Sequence, residues 1–231
     1  MMMRTLGRLL IAFGILAAIA GFIALGVWQL ERRAWKHELI ASVDARLAAP
    51  PVAAPGPADW PAITARDAYT RITATGTFDN AAETATQAVT DLGPGYWILT
   101  PLRTADFTVL VNRGFVPPDR RDPATRPEPS GPVTITGLLR VSEPGGGFLR
   151  ANDPAGNRWY SRDVAAIAEA KGLGTIAPYF IDADATPNAG GLPVGGLTVI
   201  RFPDDHLQYA LTWFALAIGL AVATVIAYRR R

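Results

Sequence analysis

The sequence predicts a membrane protein in which two transmembrane helices flank a β-rich (α+β) extramembrane domain. The helices are predicted because residues 9–30 and 207–228 are each free of charged side chains. At about 1.5 Å of rise per residue, each run is long enough to cross a hydrocarbon core of about 30 Å. The domain is predicted because the residues between them contain several short runs of alternating or β-branched side chains.

Composition divides the chain into six segments. The first apolar run is longer than the apolar part of a signal peptide, about 7–15 residues, and no small-residue cleavage site follows it before WQLERRAWK, so we expect an uncleaved helix. The segments are the N-terminus (1–8), the first transmembrane helix (9–30), a juxtamembrane segment with a Pro/Ala linker (31–61), the β-rich domain (62–205), the second transmembrane helix (206–228) and the C-terminal tail (229–231).

Charge distribution indicates the orientation. All 20 acidic residues and 17 of the 22 lysines and arginines lie between Glu31 and Asp205, which gives that span a charge of −3. The other five are arginines at the chain ends, and the positive-inside rule then favours cytoplasmic termini and a periplasmic domain. Arg32, Arg33 and Lys36 argue the other way. Since no Arg/Ser-rich transit peptide precedes the first helix, we expect a bacterial plasma (inner) membrane.

Six strands and one helix are predicted within the domain. The helix spans residues 163–171, with Asp163 as its N-cap and Gly172 as its stop signal. The RTAD segment joins the second and third strands as a hairpin. Together these elements predict an antiparallel sheet or a partly closed barrel with one helix. The strands are expected at residues 69–78, 96–102, 107–116, 133–139, 178–182 and 197–202.

Several functional classes are not expected from the composition. Without cysteine the chain forms no disulfide, thiolate metal site or cysteine nucleophile, and with methionine only at positions 1–3 a soft copper site is not expected. A net charge of +2 gives no indication of nucleic-acid binding. Because GxSxG, HExxH and P-loop motifs are all absent, we expect a protein that is not an enzyme.

Several conspicuous residues of the domain are interpreted as structural rather than functional. Asp182 and Asp184 could form an acid–base pair, but two solvated carboxylates at a strand end are favoured. Trp159 and Tyr160 are expected to pack on the sheet rather than bind a ligand. A basic stretch with interleaved acids is expected to be a solvated loop with local ion pairs. Its arginines are Arg113, Arg120, Arg121 and Arg126.

The stretch PDDHLQYALTWF opens the second apolar helix. Asp205 is predicted to be the N-cap, with Gln208 completing a capping box. His206 would follow at the first helical position, and helical spacing places it on one face with Tyr209 or Ala210 and with Trp213. A neutral imidazole beside aromatic rings suits a flat macrocycle with a metal ion. An aromatic belt with a polar cap at the membrane surface accounts for the same residues, so both alternatives stay open.

The end of the first apolar helix, GVWQLERRAWKHE, is the second polar stretch beside the membrane. Trp28, Arg32, and Trp35 or Lys36 fall on one helical face. Cations there could bind carboxylates such as haem propionates, or they could extend to lipid phosphates. His37 has no partner pattern and is interpreted as an exposed bystander.

Four motifs occur in order along the chain. The first and last lie in the two polar stretches beside the membrane, and the other two lie between them. They are GVWQLERRAWK at 26–36, GYWILTPL at 95–102, VLVNRGFVP at 109–117 and HLQYALTWF at 206–214. With the two flanking helices, they resemble the Surfeit locus (Surf/Shy) family of cytochrome c oxidase assembly factors. The resemblance covers most of the chain, and the order of the motifs makes it specific.

The resemblance implies an assembly factor for haem-copper cytochrome c oxidase that binds haem a as cargo and assists its insertion into subunit I. The family's histidine at the start of the second helix, implicated in haem a binding, matches His206, and the tryptophan of that motif matches Trp213. Family members commonly carry Asn-Asn before this histidine, whereas this chain has Asp204 and Asp205.

The expected haem site combines the two polar stretches. His206 would bind the haem iron, aromatic side chains would pack the macrocycle, and cations would meet the propionates. The expected partners are oxidase subunit I and the lipid bilayer, with haem a synthase as a further candidate. The alternative is a cofactor-free membrane scaffold that stabilises nascent subunit I through protein contacts. The other expected site residues are Trp213, Tyr209, Trp28, Arg32, Arg33 and Lys36.

Overall fold

A computed structural model describes residues 2–230, without the side chains of residues 2–5 and 8. The side chains of Arg4 and Arg8 and the whole of Arg231, on which the predicted orientation partly depends, therefore lie outside the described residues. The chain divides into two compact units. One comprises Met1–Ser42 with Ile200–Arg231, and the other comprises Val43–Val199.

Three α-helices lie in the described residues: α1 (Met2–Ala48), α2 (Val164–Lys171) and α3 (His206–Arg229). The most apolar windows of α1 and α3 have mean hydropathies of 2.6 and 2.2, and both helices are long and apolar enough to cross a membrane. The predicted pair of membrane helices is thus present. Beyond the predicted span, α1 continues to Ala48 because residues 31–48 contain good helix formers and no glycine or proline.

Seven strands form one sheet whose order is β1-β2-β6-β7-β5-β4-β3. An additional antiparallel pairing of β2 with β4, at Thr77–Arg103 and Phe78–Leu102, closes five of the strands into a barrel. Only the β1–β2 and β5–β7 pairings are parallel among the described ladders. The predicted β-rich barrel class is confirmed. The strands are β1 (Val52–Ala53), β2 (Arg71–Phe78), β3 (Thr84–Thr90), β4 (Gly93–Arg103), β5 (Thr108–Val116), β6 (Pro132–Val141) and β7 (Ile176–Ala183).

Two apolar clusters lie on the two faces of the barrel wall. One fills the barrel interior and takes side chains from all five barrel strands, including Ile72, Leu102 and Leu139. The other lies between the wall and α2, where Leu110 and Phe180 meet Trp159, Val164 and Ile167. Because β5 contributes to both clusters, all nine of its residues are buried. The expected packing of Trp159 on the sheet is confirmed.

The predicted short helix is confirmed with its caps. The Asp163 carboxylate accepts a hydrogen bond from the Ala166 N–H at 3.2 Å, which satisfies one of the free donors of the first turn. Gly172 ends the helix with φ 62°, a left-handed conformation that glycine adopts without steric cost.

Five predicted strands correspond to β2, β4, β5, β6 and β7, but the sixth is wrong. Residues 197–202 form no strand: Thr198 contacts β7 through its side-chain hydroxyl, which donates to Asp182, and the backbone of β7 is already paired with β5 and β6. Two strands were not predicted. β3 was missed, and β1 lies inside the Pro/Ala linker, where Val52 pairs with Ile72.

Tyr179 connects this linker to the barrel. Its ring is fully buried, and its hydroxyl donates a hydrogen bond to the Pro55 carbonyl oxygen at 2.8 Å. The Trp60 indole N–H donates to the same oxygen at 3.1 Å. Burial, together with the nearby Asp59 carboxylate, raises the pKa of Tyr179 above its usual value.

We expect Tyr179→Phe to lower the free energy of unfolding by about 1 kcal/mol, because it removes one hydrogen bond but little apolar area. The raised pKa means that the tyrosine contribution is complete below the unfolded-state pKa of about 10 and is lost as the pH rises further. Alkaline destabilisation above about pH 10 should therefore be weaker in Tyr179→Phe. Thermal unfolding in detergent as a function of pH measures both effects. An unchanged alkaline slope would contradict the assignment, and Tyr228→Phe, at an exposed ring, is the control.

Candidate functional site

The two long helices pack against each other in antiparallel directions. Phe22 stacks on Trp213 with ring centroids 5.7 Å apart and an interplanar angle of 23°. One turn further along α1, Gly26 is buried against Phe214, whose ring would lie 2.5 Å from a Cβ at that position. Small residues let helix backbones approach closely in membranes. This close approach brings the next turn of α1 to the beginning of α3.

His206 lies at that meeting point. Its ring Nδ1 is 2.7 Å from Oε1 of Gln29 on α1, and its backbone N–H donates to Asp204 Oδ1 at 3.2 Å. Among the described residues, Nε2 of His206 has no hydrogen-bond partner. The half-buried imidazole is therefore held at one nitrogen and available at the other.

The predicted side-chain cap of α3 by Asp205 is wrong. Asp205 has φ −102° and ψ 7°, outside the extended region of an ordinary N-cap, and its side chain makes no capping hydrogen bond. The capping box with Gln208 is consequently not formed. Asp204, one residue earlier, accepts the hydrogen bond from the His206 N–H instead.

Asp204 is also the centre of the charged contacts between the helices. Nε2 of His37 lies 2.6 Å from Asp204 Oδ2, and Nε of Arg33 lies 3.7 Å from the same oxygen. Partial burial of Asp204 opposes its ionisation, but the hydrogen bonds from His37 and from the His206 N–H lower its pKa below the usual value. The interpretation of His37 as a bystander is wrong, because this exposed side chain is paired with Asp204.

The other predicted site residues of α1 and α3 include three exposed side chains: Tyr209, Trp28 and Arg32. Ala210 is fully buried, whereas Tyr209 is 56% exposed and so lies outside the helix interface. Trp28 is 53% exposed. The Arg32 guanidinium lies 3.9 Å from the ring centroid of Trp35.

Lys36 Nζ, another predicted site residue, donates to the Pro203 carbonyl oxygen. The structure therefore brings His206, Arg33 and Lys36 to one end of the helix pair. Gln29 and Asp204 were not assigned to the site. A sequence pattern could have identified this face of α1. It is the helical spacing i, i+4, i+7 and i+11 of Phe22, Gly26, Gln29 and Arg33.

In the domain, the interpretation of Asp182 as a solvated carboxylate is wrong. Its side chain is 2% exposed and accepts hydrogen bonds from Arg140 at 2.8 Å, Asn112 at 2.7 Å and Arg162 at 3.1 Å. Burial alone would lower the pKa of Arg162, but the Asp182 and Glu143 carboxylates raise it. Asp182 is thus the acceptor at the centre of a buried network that links β5, β6 and β7.

The basic stretch is only partly the solvated loop that was expected. Arg126 is buried and donates to Glu83 Oε1 at 2.5 Å, and Arg113 is buried with Nη1 3.7 Å from Glu83 Oε2. Burial is the main cause of the lowered pKa of Arg113. Arg120 and Arg121 remain close to the surface, as expected for the loop. One carboxylate therefore pairs two buried arginines.

Comparison with known proteins covers nearly the whole described chain. The model of the SURF1 family matches residues 16–218. Surfeit locus protein 1 of Mus musculus is 36% identical over 219 residues, which cover 87% of this chain and 68% of that protein. The Homo sapiens protein of the same name is 36% identical over 220 residues, 87% of this chain and 70% of its own. A SURF1-like protein of Monosiga brevicollis is 39% identical over 217 residues, 86% and 80% of the two chains.

We expect Gly26→Ala to destabilise the helix pair, because its new Cβ would overlap the Phe214 ring. Gly21→Ala is the matched control, since no atom lies within 4 Å of a Cβ there and helix propensity changes equally in both variants. In detergent micelles, denaturant unfolding should give Gly26→Ala a free energy of unfolding about 1–3 kcal/mol lower than that of Gly21→Ala. Equal stabilities would show that the helices do not approach closely at Gly26.

We expect Glu83→Gln to lower the free energy of unfolding by about 3 kcal/mol or more, because the buried Arg113 and Arg126 would lose the carboxylate that pairs with both. The control is Asp119→Asn, which removes the carboxylate of an exposed pair with Arg120 and should leave the melting temperature unchanged. Thermal unfolding compares the two. Similar melting temperatures would contradict the buried pairing.

Proposed function

The chain belongs to the SURF1 family, and on that premise we propose that it is an assembly factor for haem-copper cytochrome c oxidase. In this proposal it binds haem a as cargo and assists its insertion into oxidase subunit I. The protein acts by binding and release, without catalysing a reaction.

The environment of His206 carries the proposal. Iron is bound by a neutral imidazole nitrogen, and the hydrogen bond at the other nitrogen sets which one is available. Gln29 occupies Nδ1, and Nε2 has no partner among the described residues. The residues present therefore fit a haem whose iron His206 would hold through Nε2.

Other side chains around the same end of the helix pair suit the rest of the cargo. Tyr209 and Trp28 are each more than half exposed, so their rings are accessible to a flat apolar macrocycle. Trp213 packs on Phe22 in the interface that supports His206. The exposed Arg32 guanidinium stacks over the Trp35 ring and can form an ion pair with a propionate.

Arg33 and Lys36 add positive charge beside Arg32, although both also contact the segment before α3. A site at the membrane surface suits haem a because its farnesyl chain can remain in the bilayer, where the apolar surface avoids water.

The proposed setting is a bacterial plasma membrane, with both termini in the cytoplasm and the barrel domain in the periplasm. Residues 9–30 and 206–228 would cross the bilayer, and residues 62–205 would form the periplasmic domain. Subunit I of the oxidase is the proposed recipient, and haem a synthase is a candidate donor.

A cofactor-free scaffold for nascent subunit I is the second candidate. One observation favours it: Arg33, Lys36, His37 and Asp204 all have partners within the helix pair, so these polar residues also have a purely structural explanation.

Haem content distinguishes the two functions. The full chain, co-expressed with the enzymes of haem a synthesis and purified in detergent, should carry near-equimolar haem a by pigment extraction. His206→Ala should lose it, because the side chain that would hold the iron is removed. His37→Gln should retain it, since the only other histidine is engaged with Asp204. A haem-free wild type that still supports oxidase assembly would reject haem binding in favour of the scaffold.

A further inference from the structure

We propose that Gln29 is a positioning residue that selects the tautomer of His206 and so leaves Nε2 free to bind a metal. The biological use of this arrangement rests on the proposed haem function. The arrangement itself concerns two side chains of the cargo-free protein and can be tested without haem.

Gln29 is placed for this role by the helix packing beneath it. Gly26 and Phe22, one and two turns earlier on α1, contact Phe214 and Trp213 on α3. These contacts fix the separation of the helices at the turn where Gln29 lies. The Gln29 side chain then reaches Nδ1 of His206 at 2.7 Å, a short hydrogen bond.

The amide oxygen determines where the ring proton lies. Oε1 of Gln29 is only an acceptor, so Nδ1 of His206 must carry the hydrogen of that bond. A neutral imidazole has one proton, and Nε2 is then left with its lone pair. The opposite tautomer would place a lone pair of Nδ1 against Oε1 at the same distance. The hydrogen bond therefore favours the tautomer that binds iron through Nε2.

The two histidines of the chain have acceptors of different charge. His37, which is exposed, bonds to the carboxylate of Asp204, whereas His206, which is half-buried, bonds to a neutral amide. A carboxylate places a negative charge beside the ring that it holds, while an amide orients the ring without adding charge. Beside an apolar helix interface a neutral acceptor also avoids the cost of burying an ion. The ring of His206 is thus held by a neutral acceptor, and the Asp204 carboxylate is bonded to its backbone N–H instead.

The first test is the tautomer in the haem-free protein. Full-length protein labelled with ¹⁵N at histidine is studied in micelles by long-range ¹H–¹⁵N NMR, at a pH where the rings are neutral, with His37→Gln used for assignment. We expect Nδ1–H at His206 in the wild type and in Gln29→Glu, which keeps an acceptor. In Gln29→Leu the ring should shift to Nε2–H, the tautomer that histidine prefers in water. Nε2–H in the wild type would overturn the proposal.

The second test is haem affinity, corrected for the folded fraction of each variant. Loss of a residue that orients a metal ligand typically costs about 10–100-fold in affinity, and we expect this loss in Gln29→Leu. Gln29→Glu should bind nearly as well as wild type and lower the reduction potential of the haem, because the added charge strengthens electron donation by the ring. Gln208→Leu changes an exposed glutamine of α3 and is the matched control.

A purely structural role for Gln29 predicts other results. Gln29→Leu would then lower the melting temperature while leaving both the His206 tautomer and the affinity per folded molecule unchanged, which would overturn the proposal. If the wild type binds no haem, the proposed function fails separately. The NMR result then decides alone: Nδ1–H that is lost in Gln29→Leu supports the positioning role, and Nε2–H rejects it.

Discussion

The close approach of α1 and α3 at Gly26 is the constraint on which the candidate site depends. Without a side chain at this position, the Phe214 ring lies against the α1 backbone. The same separation allows Phe22 and Trp213 to stack on one side and Gln29 to reach His206 on the other. Ion pairs at the ends of long side chains tolerate a range of helix separations, but a hydrogen bond of 2.7 Å from a ring nitrogen to an amide oxygen does not. Helix packing therefore determines the geometry of the site more strictly than the ion pairs do.

Most of the fold was predictable because its elements carry local signals. Two uncharged runs identified the long helices, and alternation identified five strands. The errors have non-local causes. β3, TATQAVT, has the small and polar residues of a strand at the edge of the sheet, and residues 197–202 have a strand pattern but join no ladder among the described residues. Barrel closure depends on β2 meeting β4, and no sequence pattern encodes that pairing.

The histidine of the candidate site was predictable from the sequence, but the side chains that support it were not. His206 was identified because a histidine beside an apolar helix is chemically conspicuous. Gln29 was not, since a glutamine near the end of the predicted membrane span has no chemistry that distinguishes it from a surface residue. The burial of Asp182, Arg113 and Arg126 was missed for a related reason: charged residues are usually exposed, and only the folded structure reveals their counter-charges.

The pairing of α1 with α3 can form only after both helices have been synthesised. Gly26 and Phe214 are 188 positions apart in the chain, with the entire barrel between them. At about 5–20 residues per second, a ribosome needs about 10–40 s to travel that distance. Throughout this interval the first helix is already made, while its partner does not yet exist. The interface side of α1, with the Gln29 amide, then faces lipid or another membrane protein. The Gln29 amide thus stays without its His206 partner until the second long helix has been made.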